Sequence, residues 1–320
     1  MAGGMKNRIE VIKPGWFTTV QDLGRYGSQH CGVPVSGAMD RFATVVANRL
    51  AGNHDQAAVL ECTLKGPELL FQQDTVIAVT GADLSPTIDD KNIPLWTCIN
   101  APRHSRLRFG TRRSGFRAYL AIAGGIDVPM VLGSRSTHYS SATGGFQGRP
   151  LQPGDILSTG QSTGPTKQPI GKQLPDQLRP QYERSVTLRI IPGSQQEYFS
   201  EDALIILTGS SYTITPQSDR MGYRLAGPKI VRTGSTNVIS DGAVMGTVQV
   251  PANEQPLLLM ADGQTTGGYP KIGVVISADL PLAAQLMPGE TIRFSTCTVT
   301  EAQTILRNRY ALLDAALPAR

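Results

Sequence analysis

The stretch LLLMADGQTTGGYPKIG, residues 257–273, begins as an apolar strand and ends as a polar, glycine-rich loop. Its leading apolar run is typical of a strand that is buried on both faces. The glycines at 263, 267 and 268 leave three interpretations open: a phosphate-binding loop, a catalytic loop, or a hairpin turn that needs positive φ. A Walker loop requires lysine and a hydroxyl residue after its last glycine, but Tyr269 and Pro270 stand there. That motif is therefore absent.

Short strand-like segments bounded by Gly, Pro or Asp recur along the whole chain. Examples are RIEVIKPG (8–15), RAYLAIAGG (117–125) and KIGVVISAD (271–279). The 34 Gly and 22 Pro among 320 residues are typical of many turns and of a β-rich fold. Helices are few, and the clearest one is predicted from Ser36, as its N-cap, to a stop at Gly52. The sequence predicts a mainly β fold with a few short helices.

Two halves are predicted from a linker and a loose internal repeat. Residues 161–184 are polar and rich in Pro, Gly and Gln, which indicates a linker. On either side of it, GPELL (66–70) is similar to GPKIV (227–231), and LQPGDIL is similar to LMPGETI. These matches favour two related β-barrel halves, residues 1–160 and 185–320.

Composition excludes several classes of protein. A net charge of +5 is too small for the dense basic surface of a nucleic-acid binder, so no nucleic-acid partner is predicted. The four cysteines show no paired spacing and the four histidines no ligand spacing, so we predict reduced thiols and no metal site. The chain starts without an apolar signal segment, and its apolar runs are far shorter than the roughly 20 residues of a membrane helix. We therefore expect a cytoplasmic protein that does not enter a membrane.

Polar side chains concentrate in four loops, at residues 18–27, 132–137, 218–225 and 257–273. Each loop alone is typical of a solvated turn. Four such loops in one β-rich chain favour a shared polar site, because catalytic groups tend to lie on loops held by a rigid scaffold.

Seven motifs carry a resemblance to a known family. They are GWFTTVQDLGRYG (15–27), GVPVSGAMDRFATVVANRLAGN (32–53), AAVLECTLKGPELLF (57–71), RAYLAIAGGIDVPMVLGSRST (117–137), GGFQGRPLQPGD (144–155), SDRMGYRLAGP (218–228) and LMADGQTTGGYPKIGVVISADLPLAAQLMPGE (259–290). By these motifs the chain resembles the KipA-like, or allophanate-hydrolase-subunit-2-like, proteins of the biotin-dependent carboxyltransferase superfamily. The likeness extends over nearly the whole chain, in the order of the family.

The resemblance implies a fold of two cyclophilin-like β-barrel halves and a role in an ATP-dependent 5-oxoprolinase, which converts 5-oxo-L-proline to L-glutamate. It implies two partner subunits, one KipI-like and one LamB/YcsF-like, with ATP and Mg²⁺ bound in the complex. Biotin is not expected on this chain, which has no Ala-Met-Lys-Met-like attachment segment. The alternatives are carboxyl transfer from carboxybiotin to urea or another small amide, and regulatory binding of a KipI-like kinase inhibitor.

The resemblance and the residue chemistry together assign the site. Asp262, Asp22 and Lys271 are the expected catalytic residues, either carboxylate binding the substrate N–H or acting as base. Residues expected to bind the substrate through amides, hydroxyls and charges are Gln21, Arg25, Arg135, Asp219, Arg220, Tyr223, Gln249, Gln264, Thr265, Thr266 and Tyr269. Asp262→Ala is expected to abolish turnover and leave folding intact.

Overall fold

The computed structural model describes residues 7–161, 170–233 and 238–319. Within those residues it contains twenty strands and four α-helices, so the predicted mainly β fold is confirmed. Contacts between Cα atoms divide the chain into two compact units. The N-terminal unit contains residues 7–26, 36–161, 170–181 and 312–319, and the C-terminal unit contains residues 27–35, 182–233 and 238–311.

The change from one unit to the other along the chain falls within the predicted linker, 161–184. Residues 162–169 of that linker lie outside the described residues. Its later part is not a free linker, because the carbonyl of Lys172 accepts from Cys98 N at 2.8 Å and Leu174 is fully buried. The segments 27–35 and 312–319 also group with the unit opposite to the predicted half.

Eleven antiparallel strands form the N-terminal unit. They are β1 (Arg8–Lys13), β2 (Phe17–Gln21), β3 (Val59–Thr63), β4 (Glu68–Phe71), β5 (Thr75–Asp83), β6 (Pro86–Ile88), β7 (Lys91–Asn92), β8 (Cys98–Ala101), β9 (Arg106–Phe109), β10 (Ser114–Ile122) and β11 (Ile156–Ser158). One sheet has the order β11-β1-β4-β9-β6-β7 and the other the order β2-β3-β10-β5-β8. Apolar side chains of both sheets form one core, which includes Leu69 from the first sheet and Leu60 and Val79 from the second.

Helix α1 (Arg41–Ala51) packs on β5 and β10. Its N-cap is Asp40, whose carboxylate accepts from Ala43 N at 2.8 Å, and the prediction that Ser36 would cap it is wrong. Ser36 has a positive φ of 57° and donates its hydroxyl to the carbonyl of Thr137 instead. The predicted stop is confirmed, because Gly52 has the left-handed conformation (φ 78°) that commonly ends a helix.

The C-terminal unit contains a closed barrel with the strand order β12-β19-β16-β17-β14-β13-β20. The strands of the whole C-terminal unit are β12 (Ser185–Pro192), β13 (Ser211–Ile214), β14 (Gly222–Ala226), β15 (Asp241–Gly242), β16 (Thr247–Gln249), β17 (Leu257–Leu259), β18 (Thr266–Gly267), β19 (Lys271–Val275) and β20 (Thr291–Thr296). β15 and β18 pair separately from the barrel. The helices are α2 (Ala203–Gly209), α3 (Leu280–Ala284) and α4 (Val299–Ala316), whose last residues group with the N-terminal unit.

Buried residues alternate along the barrel strands, as with Leu188 and Ile190 in β12 and Ile292 and Phe294 in β20. This alternation directs one face of each strand into the barrel. None of the helices in the described part of the chain has the length and apolar content needed to cross a bilayer.

Candidate functional site

The residues predicted to form one site are divided between the two units. Gln21, Asp22, Arg25 and Arg135 belong to the N-terminal unit. The other predicted residues, from Asp219 to Lys271, belong to the C-terminal unit.

Asp22 follows β2 and anchors the loop of residues 131–137. Its Oδ1 accepts from Gly24 N at 2.8 Å and from the hydroxyls of Ser134 and Ser136 at 2.7 and 2.5 Å. Its Oδ2 accepts from Arg135 N at 2.6 Å. Four donors satisfy most of the acceptor capacity of a carboxylate. This geometry gives Asp22 a structural role, and its catalytic role stays a prediction.

Arg25 and Gln21 also donate hydrogen bonds to the loop of residues 131–137. The guanidinium of Arg25, whose residue is only 1% exposed, donates to the carbonyls of Val131 (3.0 Å) and Ser136 (2.8 Å). The amide of Gln21 is fully buried and donates to the carbonyl of Thr137 at 3.1 Å. Both side chains fix the position of the loop.

A cleft of about 470 Å³ lies in the N-terminal unit, and both Asp22 and Arg135 line it. Arg135 is held by hydrogen bonds from Nε to the carbonyl of Val128 (2.9 Å) and from Nη2 to Asp127 (3.5 Å), yet its side chain is 34% exposed. A cation fixed in a cleft wall suits a carboxylate or phosphate oxygen. Arg135 is therefore the predicted residue whose position best fits ligand binding.

The cleft also contains polar residues that the sequence reasoning missed, namely Asn53, His54 and Asp127. Asn53 is buried and fixes the cleft wall, because its Oδ1 accepts from Gly124 N at 2.8 Å. For Asp127 a signal was present in the sequence. The segment AGGID (123–127) follows the apolar strand β10 in the same way that the polar loop follows Leu257–Leu259.

In the C-terminal unit, Arg220 and Asp262 form a buried ion pair. Nε of Arg220 donates to Asp262 Oδ2 at 2.8 Å, and Nη2 donates to Oδ1 at 3.0 Å. The backbone N–H of Asp262 also donates to the carbonyl of Arg220 at 2.9 Å. Because both carboxylate oxygens bind the guanidinium, the pair fastens the loop after β17 to the turn before β14.

Tyr223 and Asp219 have local structural roles. The hydroxyl of Tyr223, a residue only 2% exposed, donates to the carbonyl of Leu286 at 3.4 Å. Asp219 accepts from Met221 N at 2.7 Å and from Gly222 N at 3.3 Å, which shapes the turn that starts β14. The predicted role of each in binding substrate stays a prediction.

The positive charge of Lys271 is balanced by Asp241, which lies in β15. Its ammonium group donates to the carboxylate of Asp241 and to the carbonyl of Gly242. The hydrogen bond from Lys271 holds the pKa of Asp241 below its usual value. Its backbone N–H donates to the Gln195 side chain at 2.9 Å. Lys271 thus links β19 to β15.

The glycines of the loop differ in how closely they are packed, and Gly267 is the most crowded of the three. None of Gly263, Gly267 and Gly268 has positive φ, so the interpretation as a turn that needs positive φ is wrong. A Cβ on Gly267 would lie 2.6 Å from Nε2 of Gln249. The loop therefore uses glycine to let a buried amide approach the backbone.

Gln249 lies at the end of β16 and is fully buried. Its Oε1 accepts a long hydrogen bond of 3.4 Å from Gln264. Its Nε2 has no hydrogen-bond partner among the described residues. A buried, unsatisfied amide is costly. The role of Gln249 in binding substrate stays a prediction.

The remaining predicted residues lie on the outer part of the loop. Thr266 is exposed in β18, opposite Gly242, and the carbonyl of Thr265 accepts from Ala243 N at 2.9 Å. Tyr269 is 44% exposed. In the described ranges no group of three His, Cys, Asp or Glu side chains is placed to hold a metal ion.

The family described as carboxyltransferase domain, subdomains A and B, matches residues 31–296. The chain belongs to the carboxyltransferase-domain family. This confirms the superfamily that the sequence motifs indicated.

Relatives within the carboxyltransferase-domain family extend along nearly the whole chain. It is 39% identical to the C subunit of 5-oxoprolinase from Escherichia coli, over 92% of this chain and 93% of that protein. It is 36% identical to the C subunit of 5-oxoprolinase from Haemophilus influenzae, over 96% of both. The crystal structure of urea amidolyase from Kluyveromyces lactis superposes with a TM-score of 0.92 at 33% identity, over 98% of this chain but 20% of that one.

Proposed function

We propose that the chain is one subunit of a 5-oxoprolinase that converts 5-oxo-L-proline to L-glutamate with ATP. The observation that carries this proposal is the length of the match. The similarity to two 5-oxoprolinase C subunits extends over 93% and 96% of those proteins. In urea amidolyase the matching region is only 20% of a much longer chain.

Arg135 supports an anionic substrate of this kind. 5-Oxoproline carries a carboxylate beside its lactam ring, and Arg135 places a fixed, partly exposed guanidinium in the N-terminal cleft. A charge-assisted hydrogen bond to that carboxylate would orient the ring. The cleft volume of about 470 Å³ leaves ample room for a ligand of this size.

The loop of residues 257–273 lacks two features of a phosphate-binding loop. Its glycines do not have the positive φ values of an alternating backbone nest, and the Lys271 ammonium is already paired with Asp241. We therefore place ATP and Mg²⁺ in the assembled enzyme, which also contains the KipI-like and LamB/YcsF-like subunits. The requirement for ATP favours a cytoplasmic enzyme.

The decisive experiment reconstitutes the enzyme from the three separately purified subunits. ATP-dependent release of glutamate from 5-oxoproline is expected with the complete set and not when this chain is left out. Absence of release with the complete set, while this chain still binds the KipI-like subunit, would favour a regulatory role instead.

A second candidate function is carboxyl transfer to urea or another small amide. The close superposition on urea amidolyase favours it. Carboxylation of urea by this chain with carboxybiotin, without the LamB/YcsF-like subunit, would support this candidate over the first.

A further inference from the structure

A second groove lies in the N-terminal unit, apart from the cleft that contains Arg135. Its volume is about 720 Å³. We call it the basic groove and define it by six of its lining residues, Lys13, Trp16, Lys65, Glu68, Arg106 and Arg108. The predicted site uses none of these residues.

The turn that carries Trp16 is held rigidly against the next turn. Gly15 has a φ of 76°, and a Cβ there would lie 2.3 Å from the carbonyl oxygen of Lys65. Trp16 N donates to that same carbonyl at 2.9 Å. A Cβ on Gly66 would lie 2.4 Å from the Phe109 ring, so the groove floor is also closely packed. The indole is therefore presented from a fixed backbone, although Trp16 is 68% exposed.

One buried carboxylate organises the cations of the basic groove. Glu68 is paired with Lys13 at 3.1 Å, with Arg106 at 3.3 Å and with Arg108 at 3.1 Å. The Glu68 side chain is 9% exposed, whereas those three cations are 75%, 46% and 38% exposed. Lys65 is also exposed. Arg108 is paired a second time, with the exposed carboxylate of Asp90 at 2.7 Å. The two carboxylates balance two of the four cations, so the groove keeps a net positive charge.

A single exposed apolar side chain needs no explanation, but this combination does. Trp and Arg are the residues most enriched at the energetic centres of protein interfaces. A rigid presentation also lowers the entropy that is lost when a partner binds. The excess of cations excludes a basic partner surface and suits an acidic one.

We propose that the basic groove docks an acidic segment of the KipI-like subunit. An apolar side chain of that segment packs on Trp16, and its carboxylates face Lys13, Lys65 and Arg106. This inference rests on the proposed function, because that function supplies the partner subunits.

Titration calorimetry of the full chain with the KipI-like subunit tests the inference. Trp16→Ala is expected to weaken binding about thirtyfold, the effect of losing one interface hot spot. Lys65→Glu is expected to weaken it at least about tenfold and to reduce its dependence on salt. Lys172→Glu is the matched control, because it reverses another exposed lysine of the same unit outside the groove. It should change affinity by less than about twofold.

Tryptophan fluorescence gives a second, direct measurement. Of the two tryptophans, Trp96 is only 5% exposed, so acrylamide quenching of the free chain reports mainly on Trp16. The KipI-like subunit is expected to protect the indole from acrylamide, and Trp16→Phe is expected to remove the protected signal.

Unchanged affinity of both groove variants, or an indole that stays accessible in the complex, would overturn the inference. A difference in sedimentation between the wild-type chain alone and the groove variants alone would also overturn it, because that difference would assign the groove to self-association. Glutamate release by the complete enzyme tests the proposed function separately. If the wild-type enzyme releases glutamate and the groove variants bind the KipI-like subunit normally, the groove alone is rejected. If the groove variants lose binding and the wild-type enzyme releases no glutamate, the function alone is rejected.

Discussion

The guanidinium of Arg220 binds both oxygens of the Asp262 carboxylate, at 2.8 and 3.0 Å, and both residues are at least 92% buried. On the sequence alone, Asp262 is the leading catalytic candidate. Its geometry instead makes it half of an ion pair that connects two loops. Removing one member of such a pair leaves the other charge in a site that excludes water.

Asp262→Ala is therefore expected to lower the free energy of unfolding by about 3–5 kcal/mol. This differs from the expectation that the substitution would leave folding intact. Chemical denaturation of the variant checks it. The double variant Arg220→Met, Asp262→Leu, which removes both charges, should recover most of the loss. Equal loss in the single and double variants would show that the pair does not act as a unit.

Arg135 is expected to distinguish substrates by their carboxylate. Arg135→Met should lower kcat/KM for 5-oxoproline about tenfold to hundredfold in the reconstituted enzyme, through loss of one charge-assisted contact. For 2-pyrrolidinone, which has the same lactam ring without the carboxylate, the change should be small. Equal losses for both compounds would remove Arg135 from the carboxylate site.

The fold was largely predictable because it depends on strand periodicity and turn residues. The alternation that places Leu188 and Ile190 inside the barrel is visible in the sequence. The start of α1 was not predictable from capping preference alone, because Ser36 and Asp40 are both good caps. Tertiary contact decided between them, since the Ser36 hydroxyl donates to the distant carbonyl of Thr137.

The site was harder to predict because polar residues serve two purposes. The sequence indicates Asp22 and Arg135 equally as site residues, because both lie in polar loops. In the structure four donors bind the Asp22 carboxylate, whereas the Arg135 side chain remains 34% exposed in the cleft. Only three-dimensional hydrogen bonding separates a residue that stabilises a loop from one that can meet a ligand.

Asp155 is expected to make the stability of the N-terminal unit depend on pH in acid. Hydrogen bonds from Arg149, at 2.8 Å to each carboxylate oxygen, hold the pKa of Asp155 below its usual value of 3.8. Because the folded-state pKa is the lower one, the stabilisation is complete above about pH 4 and is lost as the pH falls through that pKa. Thermal melts should show that Asp155→Asn lowers Tm near neutral pH and flattens its decline in acid. Asp176→Asn, which changes an exposed carboxylate, should leave the acid profile as in the wild type.

Gly267 is expected to be required for packing rather than for its backbone conformation. Its φ is not in the left-handed region, so alanine is acceptable to the backbone, but the added Cβ would lie 2.6 Å from Nε2 of Gln249. Gly267→Ala should therefore cost about 1–3 kcal/mol of unfolding free energy, the usual cost of overpacking. The two-stranded ladder offers a matched control in Gly242→Ala, because a Cβ there meets no atom within 4 Å.

Gly242→Ala should be neutral within about 0.5 kcal/mol. Combining Gly267→Ala with Gln249→Ala removes the amide that the new methyl group contacts, so the double variant should lose less than the sum of the two single losses. Denaturation curves of the four variants measure this coupling. Strict additivity, or equal losses at Gly267 and Gly242, would mean that the Gln249 amide does not require a glycine at position 267.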